Sequence, residues 1–196
     1  DWVSGFYVPR GANLRSTCAG LVLMSVREEI NPDHMTPPGA SQAFRKKLWH
    51  RVGGFPEGMA AAEDTLFGER AKAAGFEPYF EGDALIQWRP PEGLWAMVRK
   101  AFAWGRGDGR AGLRGGAYSR ILVGYWGSVF AAVLGAFIAW WLIPIALVPL
   151  AVSAVRRTRF KYRWADGIGK YLLIPVAHTL QLLSQSLGWL VGSRFS

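Results

Sequence analysis

The chain of 196 residues has a single cysteine, Cys18. One thiol cannot close an internal disulfide, which excludes a disulfide-stapled scaffold and a Cys-rich zinc module. Histidine is scarce as well: His34, His50 and His178 stand far apart, with none of the spacing of a metal site. Acid is nearly missing from the last part of the chain. From Ile121 onward there is one carboxylate, Asp166, against seven Lys and Arg, whereas residues 1–120 carry 13 acidic and 16 basic side chains. Two thirds of the net charge of +9 therefore sits in the last 76 residues. Disorder is excluded for most of the chain, because a composition that is 51% hydrophobic and 14% aromatic buries enough surface to offset the entropy of folding.

The longest absence is of charge. From Ile121 to Val155 there is no formally charged residue for 35 positions. A single helix of that length would measure roughly 52 Å, against a hydrocarbon core of about 30 Å. Two shorter spans joined by a tight turn fit, with Trp140 and Trp141 at the turn, where indole rings settle at the far interface. Arg110, Arg114 and Arg120 precede the run and Arg156, Arg157, Arg159, Lys161 and Arg163 follow it, which puts both flanks on the cytoplasmic side. The alternative is a helical hairpin buried in a soluble core. A third apolar stretch, Tyr171 to Val191, carries His178, Gln181, Ser184 and Gln185 near one helical face. It either spans, packing that stripe against the hairpin, or lies in the interface. Basic residues beside membrane spans account for the excess charge, so nucleic acid is not an expected partner. A transport pathway is disfavoured, since the spans carry no Asp, Glu, Lys or Arg to line one.

Residues 1–120 read as mixed strand and helix. Trp2 to Val8 alternates like a strand, Leu14 to Glu29 has a helical apolar side, and the prolines of Asn31 to Pro38 make a loop. A strand-like turn follows at Gly39 to Phe44, then a basic helix from Arg45 to Val52 ended by Gly53 and Gly54. Thr65 to Ala74 reads as a helix closed by Gly75, with Asp64 in the N-cap position. Leu94 to Trp104 is an amphipathic helix suited to a membrane surface or to core packing. The three glycines of Gly105 to Arg110 predict a mobile backbone. The chain opens at Asp1 inside a strand-like segment, DWVSGFYVP, which reads as the interior of a domain and predicts a truncated N terminus.

The ordered series G-x-S-x-A-F-R from Gly39, V-G-G-F-P-E from Val52, E-D-T-L-F-G-E-R from Glu63, EPYFEGDALIQWRPP and AFAWGRGDGRAGL resembles the C-terminal half of family 2 glycosyltransferases over roughly residues 1–115. The resemblance implies an α/β fold, a partial GT-A domain with a mixed sheet and helices, followed by an all-α transmembrane region. The implied division is 1–115 for the acceptor-side half, with an interfacial helix at 94–104. Residues 116–196 form the membrane region, with the hairpin at 121–155 and the third helix at 171–191. The implied activity is transfer of a sugar from a nucleotide-sugar donor to a hydroxyl, inverting at the anomeric carbon. Asp64 matches the family's general base and Glu63 its supporting neighbour, and a positioned base contributes about 10²- to 10⁴-fold. Gly39, Ala40 and Ser41 match the segment between donor and acceptor sites. Trp88, beside Arg89, takes the place of a family histidine and either stacks on a sugar or packs. Arg106 matches a loop that closes over donor and either neutralises a diphosphate or faces lipid headgroups. Arg70 is expected to make a structural ion pair with Asp83 or Glu81.

The departures shape the rest of the expectation. No Asp-x-Asp occurs in the chain, so the divalent cation (Mg or Mn) of the family would take its ligands from outside it. No metal ligand is assigned here, and the chain alone is expected to be inactive. There is no Gln-x-x-Arg-Trp motif, which favours single addition over polymerisation. The expected partners are a nucleotide-sugar donor, a lipid-linked or cell-envelope glycan acceptor and the lipid bilayer. The expected location is the cell membrane, multi-pass, with the catalytic part cytoplasmic. The competing class is a non-catalytic membrane anchor or assembly subunit that keeps an enzyme-like remnant.

Overall fold

A computed structural model of the chain describes residues 1–31 and 36–195. Its sheet has three strands in the order β2-β1-β3. The central strand β1 (Trp2–Pro9) pairs antiparallel with β2 (Gln42–Phe44) and parallel with β3 (Tyr79–Trp88), so the sheet is mixed, as expected. Its register with β3 shifts between Ser4 and Phe6, where a Cβ on Gly5 would lie 2.1 Å from the Ala84 carbonyl oxygen. Only a residue without a side chain lets the two backbones meet there.

Two apolar clusters flank the sheet. The smaller gathers Trp2, Leu48, Phe67 and Ala71 beneath α2 (Lys46–Val52) and α3 (Glu63–Ala73). Phe67 is its hub, with ring centroids 4.9 Å from Phe44 and 4.7 Å from Phe55. Complete burial of such a side chain stabilises the fold by about 1.5–3 kcal/mol. The larger cluster joins α1 (Leu14–Leu23), α4 (Leu94–Arg110) and α8 (Lys170–Gly192) through Cys18, Leu21, Met97, Ala101, Ile174 and Ala177.

Helix α1 begins at Asn13, whose side chain accepts the Ser16 N–H at 2.9 Å, but it stops at Leu23 rather than running to Glu29. Met24 is extended and Arg27–Glu29 forms a separate 3-10 turn. The break is held by Lys161, whose Nζ donates to the carbonyl of Leu21 at 2.7 Å, to that of Met24 at 3.1 Å, and to the Glu29 carboxylate. One buried ammonium uses its three protons on two carbonyls at the end of α1 and on a carboxylate of the next turn.

Helix α4 also departs from expectation: it continues through the glycines to Arg110. Those glycines are contact points. A Cβ on Gly105 would lie 1.9 Å from the Gln185 carbonyl oxygen, and one on Gly109 2.3 Å from that of Trp189. On the facing helix, a Cβ on Gly188 would lie 2.1 Å from the Phe102 oxygen and one on Gly192 2.2 Å from that of Arg106. Helices α4 and α8 thus touch backbone to backbone, and theirs is the most extensive packing between elements.

The uncharged run does form a helical hairpin. Helix α5 (Gly115–Ile121), a π-helical turn at Leu122–Trp126 and α6 (Gly127–Ile138) make one continuous rod. It turns at Ala139–Trp141 into α7 (Leu142–Thr158), with Trp140 and Trp141 exposed at the tip. Among the described residues, only the rod Gly115–Ile138 is long and apolar enough to cross a membrane. The expectation of a wholly transmembrane C-terminal region is reduced accordingly. Nor does the polar stripe of α8 pack on the hairpin: the Ser184 hydroxyl donates to the Val98 carbonyl of α4 at 2.7 Å, and the rest faces a cleft.

Candidate active site

The cleft lies between the middle of β1, the start of α3, the inner face of α4 and the polar side of α8, and encloses about 880 Å³. Asp64 stands on its wall, half-buried, with Glu63 beside it. The N-cap of α3 is Ala62, held at a left-handed φ of 68°, so Asp64 falls in the first turn rather than at the cap as the sequence suggested. There its charge is favoured by the helix dipole. Its Oδ1 accepts the Thr65 N–H at 2.7 Å and its Oδ2 accepts the Gly39 N–H at 2.8 Å. The second bond spans 25 residues and needs a glycine: a Cβ on Gly39 would sit 3.1 Å from the Asp64 Cβ and 3.2 Å from Oδ2.

Gly39–Ser41 forms a short 3-10 turn tied to the sheet, because the buried Ser4 hydroxyl donates to the Ser41 carbonyl at 2.7 Å. Gly39 and Ala40 line the cleft with Asp64, while Ser41 is buried behind them. The sequence-matched segment and carboxylate therefore meet. Three other candidates lie elsewhere. Trp88 packs on the larger core and against Tyr7, with Lys100 over its ring. Arg89 is exposed and pairs with Glu92 at 2.8 Å. Arg106 lines a separate small hollow with Arg110. Arg70 makes none of the ion pairs found among the described residues; it sits in the last turn of α3, where a cation suits the dipole. His34 lies outside the described residues.

The cleft also holds groups that motif reading passed over. Tyr7 faces it from β1, its pKa pushed up mainly by burial, opposed by a hydrogen bond with the Ala40 backbone and reinforced by the charge of Asp64. Asp108, 3% exposed, faces it from α4. Burial raises its pKa against the opposing pull of Arg114, 3.4 Å away, and of the Tyr118 hydroxyl that donates to it. From α8 come His178 and Gln181. The three- and four-residue spacing of their stripe was a visible signal, but its destination was not.

The described residues contain no cluster of three or more His, Cys, Asp or Glu side chains that could hold a metal ion. Glu29 is tied to Lys161 and Asp108 to Tyr118 and Arg114, which leaves Asp64 and Glu63 as the cleft carboxylates without a cationic partner. That set does not make a divalent-cation cage, and no chemical step here is routed through one.

A family model described as glycosyl transferase family group 2 matches residues 7–158. The match takes in the end of β1, the glycine turn, Asp64 and the whole hairpin. The chain belongs to this family and is a glycosyltransferase. No curated protein and no solved structure matches the chain.

Proposed function

We propose that the cleft is the acceptor side of an inverting glycosyltransferase held at the cytoplasmic face of the cell membrane. Asp64 takes the proton of an acceptor hydroxyl as its oxygen attacks the anomeric carbon of a nucleotide-sugar. The new glycosidic C–O bond forms, the bond from that carbon to the diphosphate oxygen breaks, and the proton stays on the carboxylate. The observation that carries this reading is the meeting of Gly39 and Asp64 across 25 residues on the wall of an open cleft. Two backbone N–H donors orient the carboxylate, one to each oxygen; Oδ1 also accepts the Thr65 hydroxyl at 3.4 Å, and Oδ2 keeps a lone pair for the incoming proton.

The acceptor is a lipid-linked or cell-envelope glycan. Supporting this are the exposed apolar faces of the hairpin, with Phe130, Phe137, Ile138, Trp140 and Trp141 uncovered, and the arginines at its base, Arg120, Arg156, Arg157 and Arg159. Arg157 also lines the cleft, so the presumed bilayer surface and the reacting groups are neighbours.

The test is turnover of labelled nucleotide-sugar by the enzyme in native membranes. Asp64→Asn keeps the size and one of the two acceptor contacts, its NH2 replacing the other oxygen, and cannot take the proton; it is expected to lower kcat by about 10²- to 10⁴-fold. Gly39→Ala, which crowds the same carboxylate, is expected to lower kcat with little change in donor KM. Undiminished turnover in Asp64→Asn would exclude it as the base.

A further inference from the structure

Building on the acceptor-side reading above, we infer that His178 and Gln181 of α8 form a subsite for the hydroxyl groups of a neutral pyranose, the acceptor sugar itself. The inference starts from groups left without partners. Neither ring nitrogen of His178 makes a hydrogen bond of good geometry, although the residue is only 9% exposed, and the buried Gln181 Oε1 makes none either; the Gln181 side chain is the imidazole's polar neighbour and pulls its pKa upward against burial. The Gln181 amide nitrogen is committed, donating to Gln185 Oε1 at 3.1 Å.

A buried polar atom left unpaired forfeits its hydration with nothing in return, so native proteins keep few of them. Elsewhere α8 is well satisfied: Ser184 donates to Val98, and Ser186 donates to Leu183 while accepting from Trp126. On α8 the orphaned atoms lie in the stretch that faces the cleft; the other one among the described residues is Gln42 Nε2 on β2.

Their chemistry selects the ligand. Burial, with the charges of Lys161 and Arg157 nearby, keeps the imidazole neutral at physiological pH. A neutral imidazole offers one donor and one acceptor, and the free amide oxygen offers an acceptor. Neighbouring sugar hydroxyls both donate and accept, and match that set. An anion would face the Gln181 oxygen, and a cation would face Lys161 and Arg157. Trp104 lines the same cleft from α4 and adds an aromatic surface of the kind a sugar ring lies against.

The test uses the full chain in lipid nanodiscs with isotope-labelled histidine rings, read by NMR. The His178 signals are assigned by their loss in His178→Gln. Methyl glucoside, methyl galactoside and methyl N-acetylglucosaminide are titrated, with inorganic phosphate in parallel. At least one glycoside is expected to shift the His178 ring nitrogens saturably, and Gln181→Leu to weaken that binding about 10-fold, the loss of one hydrogen bond to a buried partner. The inference is overturned if no glycoside moves the signals at about 50 mM, well above the millimolar range of weak binding. It is equally overturned if phosphate moves them as strongly, or if Gln181→Leu binds as well as the wild type. The titration needs no turnover, so it can fail while Asp64 stands as the base, and the reverse.

Discussion

Replacing Gly188 with alanine tests the backbone seam between α4 and α8. The added Cβ would lie 2.1 Å from the Phe102 oxygen and 3.0 Å from both the Phe102 carbonyl carbon and the Arg106 nitrogen. A relaxed carbon–oxygen contact is about 3.3–3.6 Å, so the helices must part by roughly 1.2 Å or more. The obstructing atoms are helical backbone and cannot rotate aside. Separation loosens Met97 and Ala101 against Ile174 and Ala177 and stretches the Ser184 to Val98 hydrogen bond. Overpacking of this kind costs about 1–3 kcal/mol and the hydrogen bond about 1 kcal/mol, while alanine returns about 1 kcal/mol of helix propensity. The net loss is about 1–3 kcal/mol, or roughly 2–12 °C in Tm for a chain of this size. Gly127→Ala is the matched control. It lies within the rod Gly115–Ile138 with nothing within 4 Å of its added Cβ, and should raise Tm by about 2–4 °C. The assay is thermal unfolding of the purified chain in detergent, followed by helical circular dichroism. If both variants move Tm in the same direction, the close-contact account of these glycines is wrong.

Two further outcomes follow from buried charge. His178 ionises near pH 6.5 when free, but burial, aided by Lys161 and Arg157, lowers its pKa to about 4 in the folded chain. Above pH 6.5 the ring is neutral in both states and contributes nothing. As pH falls from 6.5 to 4, the unfolded chain binds a proton that the folded chain refuses, so stability drops by up to about 3 kcal/mol. Denaturant titrations across that range should show the slope shrink in His178→Gln; an unchanged slope would assign it to other groups. Lys161→Met strips the Glu29 carboxylate and the Leu21 and Met24 carbonyls of their shared donor, and should cost about 3–5 kcal/mol. Adding Glu29→Met should recover part of that loss, and a double variant no more stable than the single one would show that the pair is not what matters.

Local signals carried the short elements well. The alternation of Trp2 to Val8, the glycines after Val52 and the mixed character of residues 1–120 all have structural counterparts. Gly39 and Asp64 were matched to functional segments only through the resemblance, and the hydrogen bond that joins them across 25 residues was not itself foreseen. What local reading missed depended on distant chain. The glycines at 105, 107 and 109 suggested looseness, yet two of them meet α8, some 80 residues later, and Gly107 meets the Ala61 carbonyl. The same return of the chain decides where the polar stripe points, which spacing along one helix cannot reveal. Asp64 was misplaced by two positions because Ala62, a residue with no capping side chain, takes the left-handed φ at the helix start. Trp88 and Arg89 follow β3 toward the larger core and the surface, away from the cleft, because that strand runs beside Tyr7 and ends against α4.

The seam between α4 and α8 has a consequence for how this protein can change over time. Most helix pairs drift by exchange, one partner shrinking as the other grows. Here Gly105 and Gly109 oppose Gly188 and Gly192, and both surfaces are already as small as amino acids allow. No trimming on one side can accommodate enlargement on the other, so second-site suppressors of a substitution in this seam must arise outside it, in whatever lets a whole helix move.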